Sequence, residues 1–539
     1  MNAEILAPVA LPARAPVSAR TRNGAAVAAT ALALGAAGDA LLRPVPWGLN
    51  LTLWTALLVA AAAGLQRRAE TEDAVAGWMP VALAVAALVA WRDSPTLKAL
   101  DLTALCVVLG LAVYRAGGGS VRVAGLARYC AGLLQAVFEA ACGAGILLGR
   151  DIRWGELRGD AGWTRHALAV GRGAALALPL LLVFGSLLMS ADAGFDRLIG
   201  RTFDLDLPLA ASHAGLALVF AWGAAGVLRA LVIPSPAPAL RPASADALPA
   251  TGEAATAAPP APKLRLGAVE TATVLGLLDL LFLAFVVLQL PHFFESYGDL
   301  LAPGAETFSA YARRGFFELC AVAGLVLPLL LTMHWLIDHG DARAKRAFRI
   351  AAGAMVGLVF VIILSALHRM RLYQSAYGLT ELRVYTTAFM LWLTAVFGWF
   401  CWTVLRGQRE RFAFGAVTAA VETIVLLHVV SPDALIVRVN AARAQSAVRF
   451  DAIYASSLSG DAVPALLRRL DALPADGRCH VARTLLRDWS GAGEDWRSWS
   501  LGRSRAVAAV RSRASELRQM CPAEAPSQGA AASQPRRRP

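Results

Sequence analysis

Long apolar runs of about 18–24 residues recur along the chain and are separated by short polar segments. A helix of about 20 apolar residues matches the hydrocarbon thickness of a bilayer. The pattern therefore predicts an all-α fold, a polytopic α-helical membrane protein with about 11 spans, between 10 and 13. The predicted spans cover residues 25–42, 47–65, 75–91, 97–114, 167–190, 208–232, 268–290, 316–338, 350–368, 385–405 and 413–430.

Segment 126–149 is apolar but does not fit a simple count of crossings. The basic N-terminal segment 1–24 and the basic loops 339–349 and 406–412 are all expected in the cytoplasm. These placements agree only if 126–149 crosses the membrane zero times or twice. We therefore predict an interfacial or re-entrant helix there.

The composition of the polar segments divides the chain into six parts. Residues 233–265 are rich in Pro and Ala and lack a hydrophobic period, which is typical of a flexible linker. The predicted parts are a cytoplasmic segment 1–24, an N-terminal bundle 25–232, the linker 233–265, a C-terminal bundle 266–430, a helical extramembrane domain 431–518 and a disordered tail 519–539. We expect the spans to lie in the inner membrane of a bacterial cell. The number of spans then predicts that the C-terminal domain lies in the periplasm.

The C-terminal domain has clear helix signals. Ser431 is predicted to cap a helix that has Pro432 at its first position and Asp433 favourable to the dipole. "GDAVPALLRRLDALP" and "GRCHVARTLLRDWS" then predict two amphipathic helices, a common interaction scaffold. In an oxidising compartment Cys479 and Cys521 would either form a disulfide or stay as two thiols, and both outcomes are open.

Composition fits a membrane protein. The chain is 57% apolar and 17% charged, against about 25% charged residues in soluble proteins. The net charge of +13 lies mostly in short loops and the tail, where it sets topology and meets lipid headgroups. Membrane lipids are thus expected partners, and no nucleic-acid motif accompanies the charge. "HWLIDH" (334–339) lacks metal-ligand spacing, so neither a metal site nor a cofactor is expected.

The stretch 365–385, "SALHRMRLYQSAYGLTELRVY", is unusually rich in polar chemistry for a loop between two spans. Gly378 is predicted to take a positive φ in a turn, and Thr380 to cap the next helix. A second loop, 291–319, also contains arginines and is expected on the same external face. One interpretation is an anion or lipid-headgroup site, and the other is a structural aromatic-basic belt. The candidate ligand-binding residues are Arg313, Arg314, Arg369, Arg371, Tyr373, Tyr377, Glu381 and Arg383.

Several ionisable residues lie within predicted spans, where a charge needs a partner or a water path. Proton coupling or a headgroup pocket is one interpretation, and an interhelical hydrogen bond from a protonated carboxyl is the other. The candidates are Asp279, Glu318, His334 and Glu422, and Asp39, Glu139 and His428 share the pattern.

Three motif groups resemble one family of bacterial multi-pass membrane proteins. They are "SAYARRGFFEL" (309–319), "LHRMRLYQSAYGLTELRVYTTAFMLWL" (367–393) and "SPDALIVRVNAAR" with "LSGDAVPALL" (431–467). The resemblance is to the domain of unknown function 4173, close to 4153, over roughly residues 170–470. It implies helical spans in an inner membrane and no established activity, so it assigns no catalytic residue.

Three functions are compatible with these features, and an enzyme is the least favoured. The first is binding or transport of an anionic small molecule or lipid headgroup at the external face. The second is a non-catalytic scaffold or envelope assembly factor that binds a protein partner through residues 431–518. The third is a lipid-modifying enzyme with His368 and Glu381 as acid–base candidates.

Overall fold

The computed structural model describes residues 17–70, 77–157, 170, 184, 207–233, 266–289, 316–337, 340–443, 450–473, 475–491 and 495–520. The helices in these ranges are α1 (Ala19–Leu42), α2 (Leu49–Ala69), α3 (Met79–Trp91), α4 (Pro95–Ala116), α5 (Leu126–Ile146), α6 (Trp154–Leu157), α7 (Leu207–Val232), α8 (Ala268–Gln289), α9 (Phe316–Leu336), α10 (Ala342–Tyr377), α11 (Glu381–Thr403), α12 (Phe412–Val430), α13 (Pro432–Arg443), α14 (Ala452–Ser457), α15 (Val463–Leu467), α16 (Ala475–Trp489), α17 (Leu501–Ser512) and α18 (Ala514–Gln519). Most of the predicted span 167–190, the linker 233–265 and the loop 291–319 lie outside the described residues.

Nine helices among the described residues are long and apolar enough to cross a membrane. They are α1, α2, α4, α5 with its extension to Asp151, α7, α8, α10, α11 and α12. Two shorter apolar helices, Met79–Trp91 and Ala321–Leu336, accompany them. The predicted all-α polytopic fold is confirmed.

Small residues bring the helices of the N-terminal bundle together. A Cβ on Gly35 of α1 would lie 2.4 Å from the carbonyl oxygen of Ala217 on α7. A Cβ on Gly226 of α7 would lie 2.0 Å from the carbonyl oxygen of Glu139 on α5. In lipid, close backbone contact of this kind replaces the hydrophobic effect as a source of helix association.

Helix α5 contacts one end of this bundle. Its first half touches the last turns of α4, where Leu133 packs on Gly110. Its second half touches the last turns of α7 at Gly226, and its π-helical extension Leu147–Asp151 reaches the first turns of α1. The helix continues without reversing, so the re-entrant alternative is wrong. The interfacial interpretation stays a prediction.

The C-terminal bundle has a core of large apolar side chains. Phe397 and Phe400 on α11 are fully buried among residues of α8, α9, α10 and α12, and Phe400 meets Phe412 edge to face at 5.9 Å. Helix α12 also joins the two bundles, because Ala413 and Phe414 pack with Leu111 of α4. The bundles therefore form one membrane body.

The helices α13 to α18 build a separate core on one end of this body. Leu466, Leu470 and Val481 are at its centre. We call this end the tail face; it is formed by residues 43–48, 92–94 and 378–380. The opposite end, formed by residues 117–125 and 404–411, is called the basic face. A hydrogen bond of 2.9 Å from the Ala124 amide to the Glu410 carbonyl joins its two loops.

Candidate functional site at the tail face

The polar stretch between α10 and α11 turns at Gly378. Gly378 has a φ of 77° and a ψ of −177°, so the predicted positive φ is confirmed. Glycine adopts this backbone conformation without the strain that a Cβ would cause. The side chain of Asn440 on α13 accepts a hydrogen bond from the Leu379 amide at 2.7 Å and donates one to the Leu379 carbonyl at 2.9 Å. A Cβ at residue 378 would lie 2.6 Å from Asn440 Oδ1, so a larger residue would break this clamp.

Arg383 is part of the same turn. Its guanidinium donates to the carbonyls of Tyr377, at 3.2 Å, and of Gly378. It also lies over the ring of Tyr373 at 4.0 Å, and the rings of Tyr373 and Tyr377 meet at 5.1 Å. Three of the predicted ligand-binding residues, Tyr373, Tyr377 and Arg383, thus lie together. The Arg383 guanidinium binds backbone carbonyls of the turn and so stabilises it.

The other predicted residues of this set are dispersed. Arg371 is exposed, whereas Arg369 is only 8% exposed on the buried side of α10. The Glu381 amide donates to the Tyr454 hydroxyl of α14 at 2.9 Å. Arg313 and Arg314 lie outside the described residues.

Of the two capping predictions, the one for Thr380 is right in position and the one for Ser431 is wrong. Thr380 is the N-cap residue of α11 and has an extended backbone, although its side chain makes no capping hydrogen bond. Helix α13 begins at Pro432 as predicted, yet Ser431 takes a left-handed φ of 55° and does not adopt the extended backbone of an N-cap. Among the described residues, its buried hydroxyl has no hydrogen-bond partner.

A buried polar cluster, which we call the tail junction, joins α3, α4 and the C-terminal helices. Asp461 Oδ2 accepts from the amides of Asp93, at 2.8 Å, and Ser94, at 3.2 Å. In return, Asp93 Oδ2 accepts from the Gly460 amide at 3.2 Å. The side chains of Asp93 and Asp461 are 5% and 3% exposed. Two aspartates 368 positions apart therefore each bind backbone amides of the other's segment.

Cations from three elements balance these carboxylates. Lys98 Nζ lies 3.1 Å from Asp93, Arg92 lies 3.6 Å from Asp461, and Arg503 lies 3.5 Å from Asp93. Arg92 also donates to the carbonyl of His428 at 2.8 Å, at the end of α12. The junction thus ties both membrane bundles to the C-terminal helices.

Asp433 lies next to this cluster and is 1% exposed. Burial raises the pKa of Asp433 to about 6, the nearby carboxylates of Glu381 and Asp461 add to the rise, and a hydrogen bond from Ser459 opposes it. Burial also raises the pKa of Asp461, while Arg92 counteracts it. The junction therefore holds more buried acid than its cations fully offset.

A groove of about 680 Å³ runs between the C-terminal helices and the loop after α1. Pro44 and Val45 form its membrane-side wall, and Val45 is 74% exposed. Trp496 and Trp499 on the opposite wall are 62% and 42% exposed. Three arginines and two aspartates also line the groove: Arg487, Arg503, Arg511, Asp488 and Asp495. Arg487 forms an ion pair with Asp488 at 2.7 Å.

The ionisable residues of the spans fall into two groups. Several have partners: Asp39 contacts Arg43 at 2.7 Å and His213 at 2.5 Å, and His428 lies 3.2 Å from Asp101. Asp279 Oδ1 is buried and has no hydrogen-bond partner among the described residues. The remaining predicted positions are the exposed Glu422, Glu318 in the first turn of α9, and His334, which packs edge to face on Phe348 at 5.2 Å.

A second buried ion network, the bundle network, was not predicted. Arg229 at the end of α7 contacts Glu139 at 2.7 Å and Asp151 at 2.6 Å, and it is 3% exposed. Arg20 of α1 approaches Asp151 from the surface at 2.6 Å. The sequence marked Glu139 as an ionisable residue in an apolar segment. No spacing pattern identified Arg229 as its partner.

The tail junction was also missed. The segment "WRDSP" at 91–95 separates two apolar runs, and it contains an Arg, an Asp and a helix-start signal. These charges between two spans were the sequence feature that could have indicated the junction. Its partner Asp461 lies in a segment that reads only as an amphipathic helix. Cys479 is disulfide-bonded, and Cys521 lies outside the described residues, so their predicted pairing stays a prediction. Among the described residues no group of His, Cys, Asp or Glu side chains could hold a metal ion.

Most of the chain, including residues of the tail face, matches one family model. A family model described as "Domain of unknown function (DUF4153)" matches residues 79–469, which include Asp93, Asn440 and Asp461. No curated protein and no solved structure matches the chain. The match covers well over half of the 539 residues, and the chain therefore belongs to the DUF4153 family of integral membrane proteins.

Proposed function

We propose that this protein is a non-catalytic membrane scaffold that presents its helical C-terminal domain, residues 431–518, to a protein partner. The observation that carries the proposal is the tail junction, in which buried ion pairs and reciprocal backbone hydrogen bonds fix that domain to both membrane bundles. A domain fixed in this way keeps one surface in one orientation relative to the membrane.

The groove between Val45 and Trp496 is the surface that suits a partner. Trp and Arg are the residues most enriched at the energetic centres of protein interfaces. Exposed Trp496 and Trp499 favour a partner segment with large apolar side chains. The disulfide at Cys479 supports a location in an oxidising compartment, on the periplasmic side of a bacterial inner membrane.

A second candidate function is binding of an anionic lipid headgroup in the same groove. It is favoured by the position of Pro44 and Val45 at the membrane end of the groove. In this case the ligand site of the tail face is the groove. Transport has no specific observation in its favour.

Photo-crosslinking in living cells tests the proposal. A photoreactive amino acid at position 496 should give a discrete protein adduct, and the same amino acid at the exposed position 518, outside the groove, should not. Asp461→Ala should lower the yield at 496, because it releases the domain from Asp93 and Arg92.

The outcomes separate the two candidates. A lipid adduct at 496 without a protein adduct supports the second candidate and overturns the scaffold. If Asp461→Ala left the crosslinking yield at position 496 unchanged, the fixed orientation of the C-terminal domain would not matter for partner binding. Equal labelling at 496 and 518 would show that the groove is not a binding surface.

A further inference from the structure

A cavity of about 570 Å³ opens on the basic face, between the two bundles. It lies at the N-terminal end of α3, next to the last turn of α4 and the first turn of α12. The residues that define its chemistry are Trp78, Val81, Arg115, Ser120, Arg122 and Phe414.

The charge of this cavity is unbalanced. Of the described residues that line it, two are arginines and none is an aspartate or a glutamate. Both Arg115 and Arg122 are exposed, and Arg115 donates a hydrogen bond to the Gly119 carbonyl at 3.3 Å. This contrasts with Arg92 and Arg503 at the tail junction, which lie against buried carboxylates.

The loop that holds Arg122 is firmly built. Its neighbour Val121 is 4% exposed, and the Val121 carbonyl accepts a hydrogen bond from the Tyr129 hydroxyl. The amide of Ala124 donates to the Glu410 carbonyl at 2.9 Å. Arg122 therefore projects from a fixed backbone at the boundary between the bundles.

The length of α3 explains why space is left there. With 13 residues α3 extends about 20 Å, whereas the hydrocarbon core is about 30 Å thick. Val81 and Phe414 give the cavity an apolar wall, and Trp78, a residue type that favours the membrane interface, lines it beside them.

We propose that this cavity binds an anionic phospholipid, with Arg115 and Arg122 on its phosphate and the start of its acyl chains on Val81 and Phe414. Basic pockets between spans suit phosphate headgroups, and a planar guanidinium binds phosphate in a bidentate manner. The apolar wall selects a lipid over a soluble anion.

Native mass spectrometry of the full-length protein tests the site, with nanodiscs of phosphatidylcholine that contain phosphatidylglycerol. The double variant Arg115→Gln/Arg122→Gln should retain phosphatidylglycerol about tenfold less, because two charge-assisted contacts are lost. The matched control, Arg67→Gln/Arg68→Gln, removes two exposed charges from the last turn of α2 and should change retention less than about twofold.

A second variant tests the cavity without altering its charge. Val81→Trp fills the apolar wall and should reduce retention to a similar degree, while the thermal unfolding temperature shows that the protein is folded. If Arg115→Gln/Arg122→Gln retained as much phosphatidylglycerol as the control Arg67→Gln/Arg68→Gln, the proposal would be overturned. Inorganic phosphate that displaces the lipid from wild type supports the arginine contacts; phosphate that binds there without displacing any lipid overturns the lipid assignment.

Discussion

The two buried ion networks lie at opposite ends of the N-terminal bundle and differ in what they join. In the bundle network, one cation, Arg229, is placed between Glu139 and Asp151, and all three belong to the membrane body. In the tail junction, Asp93 of the membrane body faces Asp461 of the C-terminal helices, and their cations come from separate elements.

This difference separates two structural roles. The bundle network satisfies charges that would otherwise be buried in lipid, so it serves the folding of one bundle. The tail junction determines where a whole domain is held, and burial beside it raises the pKa of Asp433 to about 6. Loss of the first should unfold the membrane body, whereas loss of the second should release a domain.

The largest expected effect comes from Arg229→Gln. It leaves Glu139 and Asp151 buried without their shared cation, which costs about 3–5 kcal/mol in comparable buried pairs. The thermal unfolding temperature of the purified protein should fall strongly.

Arg20→Gln is the matched control for Arg229→Gln. Arg20 contacts the same Asp151 but is 46% exposed, so its loss should cost less than about 1 kcal/mol. If the two variants unfolded at the same temperature, the bundle network would not be an important source of stability.

An intermediate effect is expected from pH. The raised pKa of Asp433 means that this carboxyl binds a proton more tightly in the folded protein than in the unfolded chain. The contribution of Asp433 to the free energy of unfolding is therefore fully present below about pH 4 and is lost as pH rises through about 6. Its upper limit is about 3 kcal/mol. Hydrogen exchange of α14 and α16 should be slower at pH 5 than at pH 7.5, after correction for intrinsic rates.

Asp433→Asn should remove most of that pH dependence, since an amide does not titrate in this range. Glu381 and Asp461 carry the neighbouring carboxylates, and the raised pKa of Asp461 sets the pH dependence that remains. A pH dependence equal to that of wild type would contradict the assignment to Asp433.

The smallest effect is expected from Asn440. Asn440→Ala removes both hydrogen bonds to Leu379 and should cost about 1–2 kcal/mol, since one such bond contributes about 1 kcal/mol. Asn440→Asp keeps the acceptor for the Leu379 amide but places a carboxylate oxygen against the Leu379 carbonyl, so its cost should be at least as large. Protease sensitivity of the 377–381 turn reports both changes, and wild-type sensitivity in Asn440→Ala would contradict the clamp.

The helices could be predicted because their signal is local. Apolar runs gave α1, α2, α4, α7, α8 and the helices from α10 to α12, and Gly378 was recognised because a turn there needs a positive φ. The Arg- and Tyr-rich composition of 369–383 correctly marked an unusual loop. It did not reveal that Asn440 and Tyr454 contact that loop.

The ion networks could not be predicted, because pairing depends on contacts between distant segments. Asp93 and Asp461 are ordinary loop residues until the fold buries them together, and Arg229 resembles a topology-setting arginine at the end of a span. Ser431 shows the same limit, since its left-handed backbone follows from the direct junction of α12 and α13.

The 368-residue separation of Asp93 and Asp461 also has a consequence for biosynthesis. The ribosome makes α3 and α4 long before residues 460–461, so Asp93 must wait in an open, hydrated loop while every later span is inserted. The tail face can close only once the helices through α17 have emerged, because Arg503 completes its contacts. A chain arrested before that point would leave Asp93, Arg92 and Lys98 uncovered at the tail face, and this would distinguish unfinished copies from finished ones.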